Sequence, residues 1–202
     1  MNLCAVFSFA FLGYLVGSIL FARVVSYFYK VDISKLGSGN PGATNVVRTI
    51  GKCAGILAFI GDFSKSFVLV MLILRMRPLD TISDADLGIA ALLGVVLGHH
   101  FPIFFKFKGG KGVAVTMGGI AALMPGTAII GILLWCVIFH ATGFVSAASL
   151  FFALSLPITS FAFGYNMHSV VLAIAMAVII FWCHRGNIRR LWAGSEYRFG
   201  KQ

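Results

Sequence analysis

Between Lys111 and Arg185 the chain carries no Asp, Glu, Lys or Arg. A solvated loop of that length would not lack charge. Nor can its apolar side chains all be hidden inside a 202-residue chain that is 59% hydrophobic and 11% charged. Soluble domains carry about 25% charged residues, so the chain reads as an integral membrane protein. A bilayer core of about 30 Å needs roughly 20 apolar residues per helix. Breaks at Pro125-Gly126, at His140 to Gly143 and at Gly164 to His168 divide the uncharged stretch into four short helices, 112–124, 126–140, 146–162 and 168–184. Three longer helices are the alternative.

Upstream, three apolar runs predict helices over 3–26, 53–74 and 87–105. The first lacks a basic leader and a small-residue cleavage site, so it reads as a retained helix rather than a signal peptide. Gly13 and Gly17 in it, and Gly94 and Gly98 in the third, have the spacing that lets two helices approach closely. Charge decides between three and four helices downstream. Segments 30–52, 106–111 and 185–201 hold Lys30, Lys35, Arg48, Lys52, Lys106, Lys108, Lys111, Arg185, Arg189, Arg190, Arg198 and Lys201. The 75–86 connection holds only Arg75 and Arg77, beside Asp80, Asp84 and Asp86. Basic loops stay in the cytoplasm, so the three basic segments share that side, and an even number of crossings must separate Lys111 from Arg185. The expected fold is all-α and polytopic: seven transmembrane helices in a single domain spanning 1–202, N-terminus outside and C-terminus cytoplasmic. The first short helix, 112–124, spans only about 20 Å and need not cross fully.

The net charge of +10 has the sign that anionic leaflets and cytoplasmic loops favour, and no nucleic-acid partner is expected. Cys4, Cys53, Cys136 and Cys183 lie in or beside apolar runs without CxxC spacing and read as buried, unpaired thiols.

The polar residues that remain concentrate in three segments. In "GSGNPGATNVVR", residues 37–48, Gly37, Gly39, Asn40 and Gly42 tolerate the backbone angles that turn N–H groups inward around an anion. Ser38, Thr44 and Asn45 add donors, and Arg48 adds a planar fork suited to phosphate. In "FKFKGGKGVAV", residues 105–115, Gly109, Gly110 and Gly112 bracket Lys111 where a helix begins. Free N–H groups and the helix dipole make such a start a seat for phosphate. The loop is not a Walker A motif, because Gly112 stands where Ser or Thr would hold magnesium. In "HRGNIRRLWAGSE", residues 184–196, the arginines Arg185, Arg189 and Arg190 suit a helix end at an anionic surface, and Arg185 is also expected to bind substrate phosphate. His184, Asn187 and Glu196, the chain's one glutamate, do not follow from that. Glu196 is placed to orient an arginine or to hold a substrate hydroxyl.

Brought to one membrane face, these segments make a cationic, glycine-lined site for an anionic substrate, phosphorylated at one end and lipid at the other. Carboxylates are too few to hold a hard cation, so no metal and no cofactor are expected. Asp62 and Lys65, three residues apart inside the second helix, share a face as an ion pair. There is no G-x-S-x-G elbow and no Asp-rich motif, and none of the five histidines is followed by Asp five residues later.

In order and separation the three segments resemble the bacterial acyl-phosphate:glycerol-3-phosphate acyltransferase family known as PlsY, with echoes at "GDFSK" (61–65), "GHHFP" (98–102) and "VSAAS" (145–149). The resemblance implies a seven-helix enzyme of the bacterial cytoplasmic membrane with its active site facing the cytoplasm. It would move a fatty acyl group from acyl phosphate to the 1-hydroxyl of glycerol 3-phosphate, and would work beside the enzyme that forms acyl phosphate. Ser38, Arg48, Lys111 and Asn187 would hold phosphate, His184 and Glu196 belong to the functional motif, and the GGKG segment would bind glycerol 3-phosphate. The chain departs from the family pattern at Ser34 and Gly143, where arginine is expected, and at Ser66, Val115 and Gly186. A transporter or flippase for a phosphorylated metabolite or lipid is the alternative, although transporters favour internal repeats and a midplane site. A non-catalytic membrane subunit whose basic loops bind anionic lipid is a third.

Overall fold

A computed structural model describes residues 3–76 and 83–200, and their regular secondary structure is entirely helical. Arg77, Asp80 and Lys201 of the charge argument lie outside the described residues. The chain divides after Leu123 into two compact units. The first contains α1 (Leu3–Gly17), α2 (Phe21–Phe28), α3 (Ala43–Thr49), α4 (Lys52–Met76), α5 (Asp84–His100) and α6 (Val113–Leu123), with 3₁₀ turns at Ile33–Lys35 and Ile103–Phe105. The second contains α7 (Pro125–Thr142), α8 (Val145–Ala162), α9 (Met167–Cys183) and α10 (Arg185–Trp192).

The expected breaks fall where local chemistry puts them. Pro125 opens α7 at its first turn, where its missing N–H costs nothing. Gly143 ends α7 in the left-handed region (φ 75°), and Gly164 follows α8 at φ 70°. Asn166 caps α9 by accepting from the Ser169 N–H at 2.9 Å. Pro102 stops α5 early, so the helix expected over 87–105 ends at His100, as the residue before proline disfavours the helical region.

One boundary differs in kind. The helix expected over 3–26 breaks at Ser18–Leu20. A break inside an apolar span exposes backbone groups that lipid cannot satisfy, and here side chains of α4 take them. Lys65 Nζ donates to the carbonyls of Gly17 (3.0 Å) and Ile19, and Asp62 Oδ1 accepts from the Phe21 N–H at 3.4 Å. The α3 and α10 helices fall in segments read as loop or helix end.

In the first unit α1 lies against α5, and α4 packs on α1, α2, α3, α5 and α6. The glycine spacings serve this contact. A Cβ on Gly13 or Gly17 would strike the carbonyls of Ala91 or Val95, and one on Gly94 or Gly98 those of Ala10 or Tyr14. The two backbones therefore touch. Ala22, Ile33, Val46, Ala54 and Ala58 form a buried cluster under the first glycine loop. In the second unit α8 is central, packing on α7, α9 and α10.

Five helical stretches are long and apolar enough to cross a bilayer, beginning at Leu3, Lys52, Asp84, Pro125 and Val145. α9 with α10 makes a sixth, bent by 59°. α6 has 11 residues. No cysteine is in a disulfide, and Cys4, Cys53 and Cys136 are exposed on their helices rather than buried. Thiols on a lipid-facing surface need no polar partner, which is why apolar surroundings in sequence did not imply burial.

Candidate active site

The structure gathers the predicted residues into three groups. The first is the 37–48 loop with α3. Gly37 (φ 58°) and Gly39 (φ 68°) adopt the left-handed conformation expected of them, whereas Asn40 and Gly42 do not. Asn45, buried to 1% exposure, organises the turn. Its Oδ1 accepts from the Ser38 N–H at 2.9 Å, and its Nδ2 donates to the carbonyls of Leu36 (2.9 Å) and Ile33 (3.3 Å). The amide expected to meet phosphate is thus committed to the loop, and Asn45 is a positioning residue. The Asn40 N–H points to Ser38 Oγ at 3.4 Å. Ser38 is exposed, while Thr44 and Arg48 are half-buried. A Cβ on Gly37 would meet the Asn45 amide and lie 3.4 Å from Arg48 Cδ, so loop and helix interlock. Ser34, standing where arginine is expected, donates from N–H (3.1 Å) and Oγ (2.6 Å) to Asp32. Those two bonds, with Lys35 at 3.6 Å, hold the Asp32 carboxyl below its usual range.

The second group is the GGKG loop entering α6. Lys106 (φ 53°) and Phe107 (φ 59°) are both left-handed, a conformation that costs a non-glycine residue about 1–2 kcal/mol. Gly112 (φ 77°) turns the chain into α6. Each glycine sits on the end of α5. A Cβ on Gly109 would strike the carbonyls of His99 and His100, one on Gly110 the His99 ring, and one on Gly112 the His100 ring. The Gly110 N–H donates to the His99 carbonyl at 3.0 Å. Lys111 is half-buried between them.

His99 leads to the buried pair. Asp62 and Lys65 form the expected ion pair at 2.7 Å with side-chain exposures of 2% and 5%, and His99 Nδ1 stands 3.4 Å from Lys65 Nζ. The three ammonium protons are matched by Asp62, Gly17 and Ile19, so Lys65 serves the break between α1 and α2. Reading the sequence alone missed His99. Its signal was the "GHHFP" echo, which has no chemistry until the loop is folded onto it.

The third group is the turn from α9 into α10. His184 is buried, with Nδ1 2.8 Å from the Ile180 carbonyl. A carbonyl can only accept, so Nδ1 carries the proton and Nε2 is the basic nitrogen of the neutral ring. Glu196 Oε1 accepts from Asn187 Nδ2 (2.6 Å) and Ser146 Oγ (3.0 Å), and Oε2 accepts from Arg190 Nε (2.7 Å). Partial burial pushes the Glu196 carboxyl up, but the bonds from Asn187, Arg190 and Ser146 outweigh it and hold the group below its ordinary value. Both oxygens are engaged, so Glu196 orients Asn187 and Arg190. Arg185 Nη1 donates to the Trp182 carbonyl at 3.0 Å, and its guanidinium lies 5.0 Å over the Trp182 ring.

The tail beyond α10 explains Gly143. The Phe199 N–H donates to the Gly143 carbonyl at 2.9 Å, and Arg198 lies 5.8 Å over the Phe144 ring. A Cβ on Gly143 would come within 2.8 Å of the Phe199 carbonyl and 2.9 Å of Arg198 Cγ. The tail occupies the space an arginine at 143 would need.

The family model described as glycerol-3-phosphate acyltransferase matches residues 7–194. The chain belongs to that family. Relatives of that name include the Aquifex aeolicus protein, 40% identical over 93% of this chain and 95% of its own length. The Paraburkholderia xenovorans protein is 41% identical over 95% of this chain and 89% of its own. Among solved structures, PlsY, an integral membrane glycerol 3-phosphate acyltransferase, superimposes in its glycerol 3-phosphate form with a TM-score of 0.88. It is 39% identical, with 96% of each chain covered. Its lysophosphatidic acid form gives 0.86. The family match therefore takes in the first two groups whole and the third as far as residue 194.

Proposed function

We propose that this protein transfers a fatty acyl group from acyl phosphate to the 1-hydroxyl of glycerol 3-phosphate, giving lysophosphatidic acid and inorganic phosphate. The observation that carries the reading is the GGKG loop. Lys111 is held between glycines that fit only against the end of α5, within a chain whose relatives are glycerol-3-phosphate acyltransferases. Lys111 and the helix start bind the acceptor phosphate, with Ser38 and Arg48 as further phosphate donors. In the second unit Asn187, oriented by Glu196, holds phosphate as well. Seven crossings put these segments at the cytoplasmic face of a bacterial inner membrane.

Acyl phosphate is already activated, so the protein need only align hydroxyl and carbonyl and offset charge on the oxyanion and the departing phosphate. The hydroxyl oxygen forms a bond to the acyl carbon, the bond from that carbon to the phosphate oxygen breaks, and the hydroxyl proton passes to a substrate phosphate oxygen. His184 Nε2 is the rival acceptor.

Purified protein in lipid, given palmitoyl phosphate and glycerol 3-phosphate, should release phosphate and form lysophosphatidic acid, with or without EDTA. Lys111→Ala and Arg48→Ala should each lower the rate at least about tenfold, as expected for groups that hold transition-state charge. No phosphate release from the wild type would sink the reading. Near-normal turnover and pH profile in His184→Ala would leave the substrate phosphate as the base, whereas collapse of the basic limb would assign it to His184.

A further inference from the structure

We propose that His99 is a positioning residue for the acceptor: its buried ring is the floor on which Gly110 rests, and so fixes where Lys111 and the neighbouring N–H groups point. This rests on the reading above, that the GGKG loop holds glycerol 3-phosphate.

Three observations converge on the ring. It is 4% exposed, and a Cβ added at Gly110 would strike its Nε2 and lie 3.2 Å from Cδ2 and Cε1. Its other edge cannot retreat. Nδ1 faces the Lys65 ammonium at 3.4 Å, with Asp62 Oδ1 at 3.7 Å. Lys65 and Asp62 together close off that edge, leaving Nε2 on the side facing Gly110. The pair that clamps the ring is itself fixed, since Lys65 and Asp62 tie down the backbone of the break between α1 and α2. The ring is thus a rigid stop, and the residue-99 carbonyl holds the Gly110 N–H at 3.0 Å. A loop between two such constraints has one position for Lys111. A ring kept only to fill space would not need a glycine against its nitrogen.

The test is a kinetic double-mutant cycle on the full-length enzyme in lipid: wild type, His99→Ala, Gly110→Ala and the double variant. Kinetic constants are measured for glycerol 3-phosphate at saturating palmitoyl phosphate, and then for palmitoyl phosphate. Gly110→Ala should raise the KM for glycerol 3-phosphate about ten- to a hundredfold, because displacement by about 1 Å can cost that much. The KM for palmitoyl phosphate should stay within about twofold, because only the acceptor seat moves. His99→Ala alone should do less, because the residue-99 carbonyl remains. In the double variant the methyl enters the space the ring has left, so most of the Gly110→Ala loss should be recovered, a coupling that independent sites do not show.

Additive losses, equal shifts in both KM values, or a wild-type acceptor KM in Gly110→Ala would overturn the proposal. If His99→Ala does not fold, His99→Gln takes its place, its flexible amide making room for the methyl. A wild type that releases no phosphate would instead overturn the acyltransferase reading, which keeps the two failures distinct.

Discussion

Asn45 shows how much a single side chain contributes by holding its own loop. Its three hydrogen bonds set the 33–38 backbone, so Asn45→Ala should destabilise the protein by about 2–3 kcal/mol, at roughly 1 kcal/mol per buried bond. Thermal unfolding reads this, and hydrogen exchange should rise at residues 36–39. Asn45→Asp keeps the acceptor for Ser38 but loses both donors, and should fall between the two. Equal stability in all three proteins would refute the role. At Glu196 the folded carboxyl lies below its ordinary value. Its stabilisation is therefore complete above the unfolded value and is lost as pH falls through the folded one. Thermal unfolding of Glu196→Gln between about pH 3 and 6 should show a flatter acid limb than the wild type; parallel limbs would refute it. Both residues were visible in sequence as polar outliers in basic or glycine-rich segments. Their roles were not, because an amide or carboxylate looks the same whether it faces a ligand or its own loop.

Among the elements, the legible boundaries were those made by local chemistry, at Pro125, Gly143 and Gly164. The break between α1 and α2 was illegible, because the groups that satisfy it are 41 to 48 residues away in α4. The glycine pairs of α1 and α5 were legible as packing positions, but not as partners of each other. Gly143 gives this scale its prediction. Gly143→Arg, which restores the residue expected from the family pattern, should cost about 1–2 kcal/mol in backbone strain. It should also free the tail by displacing Phe199 and Arg198. A lower unfolding temperature and faster proteolytic clipping after Trp192 are the readouts. A variant as stable and resistant as the wild type would show that the tail does not occupy that space.

For the whole molecule, charge and parity make the prediction. Four helices, α6 to α9, separate Lys111 from Arg185; if all four cross, the even number returns the chain to the same side. The doubtful member is α6, whose 11 residues rise only about 16 Å against a core of about 30 Å. Its Val115–Ile120 stretch is buried in protein, so it need not match lipid thickness. Reporters fused to the two termini should report the N-terminus outside and the C-terminus in the cytoplasm. Both on one side would mean that one helix does not cross. The sequence by itself determined the solvent, the long apolar helices and the residues of the three polar segments, because hydropathy, charge placement and glycine or proline chemistry act over a few neighbours. Only the tertiary structure decided which polar groups serve the chain itself. Asn45 holds its loop, Lys65 mends a broken helix, Glu196 aims Asn187, and His99 supports a glycine. Hydrogen-bond partners and steric stops are set by folding distant segments together, which no spacing along the chain encodes.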